Sequence, residues 1–165
     1  MFDNKSIKNM SEEERLKFMN MFLDGQLEGE KDSLANISNA TAIINAFMDR
    51  INWAGFYFLR GEILILGPFQ GLPACNRIEI GSGVCGTAVA TKEIQLVPDV
   101  HQFPGHIACD SASNSELVIP IIKDEKVIGV LDIDSPEYDR FSQLHVDALS
   151  LFIEKLNKHI DWEKI

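Results

Sequence analysis

The sequence predicts an α+β fold, an antiparallel sheet with the N- and C-terminal helices on one face. Three observations favour it. Apolar residues recur at helical spacing mainly toward the two ends of the chain, strand-like runs lie between them, and four of these runs pair as two hairpins. Residues 101–115 carry few large apolar side chains, and structureless loops of that length are uncommon in compact domains. We therefore expect this loop to be functional and to lie on the other face of the sheet.

The helices are predicted from caps and apolar spacing. Residues 11–23 begin with Ser11 and Glu14, the spacing of a capping box, and residues 33–51 repeat apolar side chains at the interval of a buried stripe. A short helix is expected near Gly83, where glycines flank a run of small residues. An amphipathic helix over "FSQLHVDALSLFIEKLNKHI" follows the last strand.

The strands are predicted from apolar runs that end at turn residues. "WAGFYFLRGEILILGPF" predicts a hairpin that turns at Arg60 and Gly61. "ELVIPIIKDEKVIGVLDIDS" predicts a second hairpin that turns at residues 123–125, and "IQLVPDV" predicts a short strand ended by Pro98.

Length and composition are those of one globular domain. The chain has 165 residues, of which 45% are hydrophobic and 24% charged, enough for a sizeable core. No repeat, linker or low-complexity segment divides it. We expect a single domain over residues 1–165, with a helical N-terminal extension over 1–30 and a core over 33–160.

Charge and hydropathy argue against several partners. The formal net charge is −10. Nucleic acids and anionic membrane surfaces bind positively charged protein surfaces, so neither is expected as a partner. No apolar run approaches the roughly 18 residues that span a bilayer, and the N-terminus does not resemble a secretory signal. We expect a soluble, cytoplasmic protein, and the long terminal helices favour a homodimer.

The three cysteines, Cys75, Cys85 and Cys109, all lie in one window, and three interpretations compete: buried filler, metal ligands and redox groups. Structural zinc sites usually contain a tight cysteine pair, which is absent, so no metal is expected even though His101 and His106 precede Cys109. A thiol in a loop or in the first turn of a helix tends toward the reactive thiolate. Cysteines on neighbouring loops would also allow attack by one thiolate and disulfide formation with a second.

Acidic and aromatic side chains are predicted to wall a pocket. Asp132 and Asp134 are two apart at the end of an apolar strand and share a face, and Glu116 starts the partner strand. Clustered carboxyls repel each other unless a cation enters or one of them stays protonated; the alternative is a solvated strand end. Trp53 and Tyr57 share a face of the first strand and are either core residues or the apolar wall of the same pocket.

Four stretches of the chain resemble the free methionine-R-sulfoxide reductases, a family built on the GAF fold. They are "NWAGFYFL", "LGPFQGLPACNRIEIGSGVCGTAVAT", "VPDVHQFPGHIACDSASNSELVIPI" and "GVLDIDSPEYDRF", and the similarity covers roughly residues 35–157. The combination of "GLPAC", "GVCG" and "HIACD" is unusual outside this family.

The resemblance implies reduction of free methionine-R-sulfoxide to methionine without a cofactor, using electrons from thioredoxin. It implies that Cys109 is the nucleophile and passes through a sulfenic acid, and that Cys75 or Cys85 closes a disulfide. The substrate-binding residues that it implies are Trp53, Tyr57, Glu116, Asp132 and Asp134. The rival functions are a GAF domain that senses a small ligand without turnover and a thiol redox sensor.

Overall fold

The chain folds around a six-stranded antiparallel sheet. The computed structural model describes residues 7, 9–107 and 110–165, and the predicted nucleophile Cys109 lies outside the described residues. The strands are β1 (Trp53–Arg60), β2 (Ile63–Gln70), β3 (Arg77–Glu79), β4 (Gln95–Val97), β5 (Ser115–Lys123) and β6 (Lys126–Ser135). The α-helices are α1 (Glu12–Leu27), α2 (Ser33–Phe47), α3 (Gly83–Thr91) and α4 (Gln143–His159), and 3₁₀ turns occupy Val100–Gln102 and Trp162–Lys164. In this part of the chain, no helix has the length and hydropathy needed to cross a bilayer.

The strand order β3-β2-β1-β6-β5-β4 follows from the two predicted hairpins. The hairpins join side by side because β1 pairs with β6, which places Trp53 opposite Asp134 and Gly55 opposite Asp132. In the second hairpin, Glu116 lies opposite Asp134. This register brings the ends of β1, β5 and β6 together and gathers the acids that the sequence separates.

The two faces of the sheet have different coverings. Helices α2 and α4 pack on one face and α1 packs on both helices, which forms the larger apolar core. Strand residues that face this core include Phe56, Leu117 and Ile133. The other face carries α3 and a smaller cluster that includes Trp53 and Tyr57. The predicted α+β arrangement, with terminal helices on one face and loops on the other, is confirmed.

Two predicted helix ends were wrong. Helix α1 continues past residue 23 to Leu27, because burial of Leu27 on the same stripe outweighs the roughly 1 kcal/mol cost of Gly25 within a helix. Helix α2 stops at Phe47 instead of residue 51. Beyond it, Arg50 has a φ of 57° and its carbonyl accepts a hydrogen bond from Ser135 Oγ, which ties the chain to β6.

Helix α1 is anchored to the rest of the chain by a buried arginine. Arg140, just before α4, contacts Glu12 at 2.5 Å and Asp49 at 2.9 Å, and its Nη1 lies 2.9 Å from His145 Nε2. Burial opposes the charge of Asp49, but the hydrogen bond from Arg15 and the neighbouring arginine charges lower the pKa of Asp49 to about 2. Together with the buried stripe of α1, these ion pairs make the N-terminal helix part of the folded unit.

Candidate active site

A small pocket, part of it open to solvent, lies on the face of the sheet that carries α3. The lining combines strand carboxyls, two aromatic rings, the first turn of α3 and a loop segment between β4 and β5. The lining residues include Trp53, Tyr57, Cys85, His106, Ile107, Asp110, Ser113, Glu116, Asp132 and Asp134.

Three carboxyl groups meet in this pocket, and no arginine or lysine is among its described lining residues. Glu116 and Asp132 are only 6% and 7% exposed, and Asp134 is partly buried beside them. Among the described residues, the only basic group that reaches any of these carboxyls within 4.0 Å is His106, whose Nε2 lies 3.9 Å from Glu116 Oε2. Buried charges that lack a partner are expensive, so protons must remain on part of the cluster.

The protons divide unequally among the three acids. Burial, and then the charges of its acidic neighbours, raises the pKa of Glu116 well above its usual range, and Asp134 behaves in the same way. Burial also raises the pKa of Asp132, but hydrogen bonds from Cys85 and Glu116 limit the rise to about 6. Near neutral pH, Asp132 is therefore the carboxylate, and Glu116 is a neutral acid that can donate a hydrogen bond to a ligand oxygen.

Cys85 lies in the first turn of α3 and belongs to the acid cluster. Its side chain is a free thiol that is only 3% exposed. The expectation that the helix N-terminus favours a thiolate here is wrong. Burial, followed by the charges of Asp132 and Glu116, raises the pKa of Cys85 well above its usual value. The helix dipole contributes only about 0.3–1 kcal/mol, too little to offset both effects.

The same cluster has the donor atoms of a metal site. One ligand atom each from Cys85, Glu116 and Asp132 lies within 4.8 Å of the other two, and all three residues are buried. This set could not be predicted from the sequence, in which the candidate ligands close along the chain are Cys109 and the two histidines before it. The alternation of β6 indicated the acids, but nothing in the sequence showed that α3 brings Cys85 against them.

Two aromatic rings form the apolar wall and also hold a loop. Trp53 and Tyr57 stack with ring centroids 5.8 Å apart. Trp53 Nε1 donates to the carbonyl of Leu72 at 3.1 Å, and Tyr57 OH donates to the carbonyl of Cys75 at 3.0 Å. The rings therefore fix the segment between β2 and β3 that carries Cys75.

Glycine at position 55 makes room for the Trp53 ring. A Cβ atom at Gly55 would lie 2.5 Å from the Trp53 ring and 2.4 Å from Cβ of Phe69. The Trp53 ring also stacks on Phe69, with centroids 5.4 Å apart. Because Gly55 pairs with Asp132, the ring packs next to the acid cluster.

Cys75 lies beside the pocket instead of in its lining. It is partly buried, it follows the lining residue Ala74, and it is disulfide-bonded. Cys85 by contrast is free. The two cysteines that the sequence analysis left as alternatives for one role therefore differ in environment.

Asn52, which was not predicted as a site residue, connects the rim of the pocket to the start of β1 by hydrogen bonds. Asn52 Nδ2 donates to Asp110 Oδ2 at 2.9 Å and to Ser113 Oγ at 3.0 Å. Asp110 and Ile107, which flank the undescribed residues 108–109, both line the pocket. Asn52 gave no signal in the sequence because its partners follow it at long range along the chain.

Together, the sheet order and the partly open pocket are typical of a small-ligand domain of the GAF class. A family model described as GAF domain matches residues 40–160 of the chain. The predicted fold class is confirmed by this match.

Comparison with known proteins identifies the family within the GAF class to which the chain is similar. The free methionine-R-sulfoxide reductase of Escherichia coli is 47% identical over 140 residues, which cover 85% of each chain. The enzyme of that name from Saccharomyces cerevisiae is 47% identical over 161 residues, 93% of this chain and 87% of the yeast protein. The Neisseria meningitidis free methionine-R-sulfoxide reductase, solved in complex with its substrate, superposes with a TM-score of 0.89 at 34% identity, covering 94% of this chain and 93% of that one.

The chain belongs to the free methionine-R-sulfoxide reductases, a family of oxidoreductases built on the GAF domain. The family resemblance inferred from the sequence motifs is confirmed.

Proposed function

We propose that this protein reduces free methionine-R-sulfoxide to methionine, with Cys109 as nucleophile and thioredoxin as reductant. The observation that carries the proposal is a pocket with aromatic walls in which two buried carboxyls, Glu116 and Asp132, lie together, with burial raising the pKa of both. Membership of the reductase family supports the substrate.

The pocket chemistry fits a small zwitterion with a sulfoxide. The Glu116 carboxyl donates a hydrogen bond to the sulfoxide oxygen, which makes the substrate sulfur more electrophilic. The substrate's ammonium group supplies the cation that the anionic Asp132 lacks among the described residues. The Trp53 ring packs against the methyl group and sulfur, since sulfur–aromatic contacts are favourable.

The reaction is proposed in two balanced steps. The Cys109 thiolate attacks the substrate sulfur, the S–O bond of the substrate breaks as the oxygen passes to the Cys109 sulfur, and methionine leaves. A proton from Glu116 completes the sulfenic acid on Cys109. The Cys75 thiol then attacks that sulfur, a disulfide forms, and the oxygen leaves as water. The two electrons of the reduction come from the two thiols, and a thioredoxin dithiol restores them by exchange.

We assign the resolving role to Cys75 and not to Cys85. Cys75 is disulfide-bonded beside the pocket, which supports a sulfur that exchanges partners. The Cys85 thiol is held by Asp132 with its pKa raised, which makes it a poor nucleophile. Ile107 and Asp110 at the pocket support the nucleophilic role of Cys109, which lies between them in the sequence.

The cellular location and the oligomeric state of the enzyme are also part of the proposal. Thioredoxin keeps thiols reduced in the cytoplasm, which is where we place the enzyme. The homodimer expected from the long terminal helices remains a prediction, and size-exclusion chromatography with light scattering measures it.

A single-turnover assay without reductant tests the proposal. Reduced wild-type protein should convert the R epimer of free methionine sulfoxide, leave the S epimer, and lose about two thiols per methionine formed. Cys75→Ser should form one methionine per chain and stop. Cys109→Ser should lose activity by more than about a thousandfold.

Methionine production by Cys109→Ser at a rate close to wild type would remove Cys109 from its role. Binding of the sulfoxide by wild type with no loss of thiols would instead identify a GAF sensor. A coupled assay with NADPH, thioredoxin reductase and thioredoxin then tests the reductant, with glutaredoxin as the matched alternative.

A further inference from the structure

The pocket contains a buried thiol that the proposed reaction does not use. Cys85 lies with Glu116 and Asp132 so that one sulfur and two carboxyl oxygens are within 4.8 Å of one another. In a tetrahedral zinc site, Zn–S and Zn–O distances of about 2.3 and 2.2 Å place the sulfur and the oxygen about 3.7 Å apart. Side-chain rotations that close these separations by up to about 1 Å therefore bring all three donors to a common ion.

The donor types select the class of ion. A thiolate with two carboxylates suits a borderline-soft divalent cation such as Zn²⁺ and does not suit Mg²⁺ or Ca²⁺, which prefer oxygen ligands alone. Three protein ligands with one further position is also a common zinc arrangement. His106, with Nε2 at 3.9 Å from Glu116 Oε2, is close enough to provide a fourth ligand after a small shift.

An independent observation points to a ligand at the same place. Asp132 Oδ1 is fully buried and has no hydrogen-bond partner among the described residues. It belongs to a side chain that is only 7% exposed and that lines the pocket. A buried oxygen of this kind costs free energy unless something in the pocket satisfies it.

We propose that Cys85, Glu116 and Asp132 bind a zinc-class divalent cation, and that this cation excludes the sulfoxide substrate from the pocket. Binding replaces protons on the ligands, so it releases protons to solvent. The cation takes up the carboxyl groups that would contact the substrate, so cation and substrate compete. The cation site stands on the geometry alone, whereas the competition rests on the proposed function.

The test uses the full chain with Cys75→Ser and Cys109→Ser, so that Cys85 is the sole thiol. Titration with Cd²⁺, a spectroscopic substitute for Zn²⁺, should produce the ultraviolet charge-transfer band of a cadmium–thiolate bond and saturate at one ion per chain. Zn²⁺ added afterwards should remove the band.

Two further variants locate the ligands. Cys85→Ser on the same background should abolish the band. Asp132→Asn keeps the thiol and should weaken Cd²⁺ binding by more than about tenfold. Asp134→Asn, which changes the neighbouring acid outside the trio, is the matched control and should weaken binding less than Asp132→Asn. Far-ultraviolet circular dichroism confirms that each variant is folded.

Absence of the band, or Cd²⁺ affinity that Asp132→Asn leaves unchanged, overturns the cation site. The sole-thiol variant has no Cys109 and therefore cannot consume substrate, so competition is measured on it directly. Free methionine-R-sulfoxide should raise the apparent Kd for Cd²⁺ in proportion to its concentration. An unchanged Kd overturns the competition, and methionine production by wild type reports separately on the proposed function.

Discussion

At the scale of single residues, the pocket depends on side chains whose surroundings set their chemistry. Glu116 is an acid that burial keeps protonated, and Gly55 leaves the space that the Trp53 ring occupies. Neither property belongs to the residue type in general. Both arise from the register of β1, β5 and β6, which places these residues against one another.

Glu116→Gln should separate proton transfer from hydrogen bonding. The amide is neutral and still donates, but it cannot deliver a proton, so kcat/KM should fall by about 10²–10⁴. Stability should change little because the carboxyl is already neutral in the fold. Single-turnover methionine formation and thermal melting measure the two effects. Glu79→Gln, an exposed glutamate on β3, is the control, and equal rates for the two variants would contradict the role of Glu116.

Gly55→Ala should displace the Trp53 ring. The added methyl would lie 2.5 Å from that ring, so we expect a loss of about 1–3 kcal/mol in the free energy of unfolding and weaker substrate binding. Gly25→Ala is the matched control, since a Cβ there meets nothing within 4 Å, and it should stabilise α1 by about 1 kcal/mol. Urea unfolding of both variants compares them, and the same sign for both would contradict this account.

At the scale of elements, the hydrogen bonds of Asn52 connect the start of β1 to the loop between β4 and β5. The bonds hold Asp110 and Ser113, which follow residues 108–109 in the sequence. A side chain at a strand end thus positions a loop that is distant in sequence. We infer that Asn52 positions the loop to which the proposed nucleophile belongs in the sequence.

Asn52→Ala should lower kcat by about tenfold or more, because it releases the loop between β4 and β5. KM should change less, because Asn52 itself does not contact the substrate. Asn20→Ala is a close control. Asn20 also donates twice through Nδ2 and also has a buried, unpartnered Oδ1 among the described residues, but it lies in α1 on the other face. Both variants should lose about 1–3 kcal/mol of stability. An equal fall in kcat for both would show that Asn52 acts only through stability.

The elements themselves could be predicted from the sequence, whereas the contacts between them could not. Capping at Ser11, the two hairpins and the helix near Gly83 all depend on local spacing, and the structure confirms them. The alternation of β6 predicts that Asp132 and Asp134 share a face. The burial of Cys85 against Asp132 requires α3 to pack across the sheet, and the partners of Asn52 require a closed loop. These depend on tertiary packing, on which local patterns carry no information.

At the scale of the whole molecule, two groups of acids respond to pH in opposite directions. Asp49 has a pKa lowered to about 2 from its ordinary 3.8, so its contribution to stability is present above pH 3.8 and is lost on acidification. Asp132 has a pKa raised to about 6, so the folded state holds its proton more tightly than the unfolded chain does. Its contribution is complete below pH 3.8 and is lost as the pH rises through 6.

The free energy of unfolding of Asp132→Asn, measured relative to wild type, should therefore increase between about pH 4 and pH 7 and then level off. Asp49→Asn should show the opposite trend, with its deficit disappearing as the pH falls toward 2. Urea unfolding at a series of pH values measures both differences. A wild-type minus Asp132→Asn difference that does not vary with pH would show that this carboxyl titrates normally.

The hydrogen bonds from Trp53 and Tyr57 to the carbonyls of Leu72 and Cys75 join the aromatic wall of the pocket to the segment between β2 and β3. An outward movement of the segment that carries Cys75 would displace both rings or break these hydrogen bonds. Displaced rings would make weaker contacts with a ligand in the pocket. We therefore expect the loop that carries Cys75 and the aromatic wall of the pocket to move together.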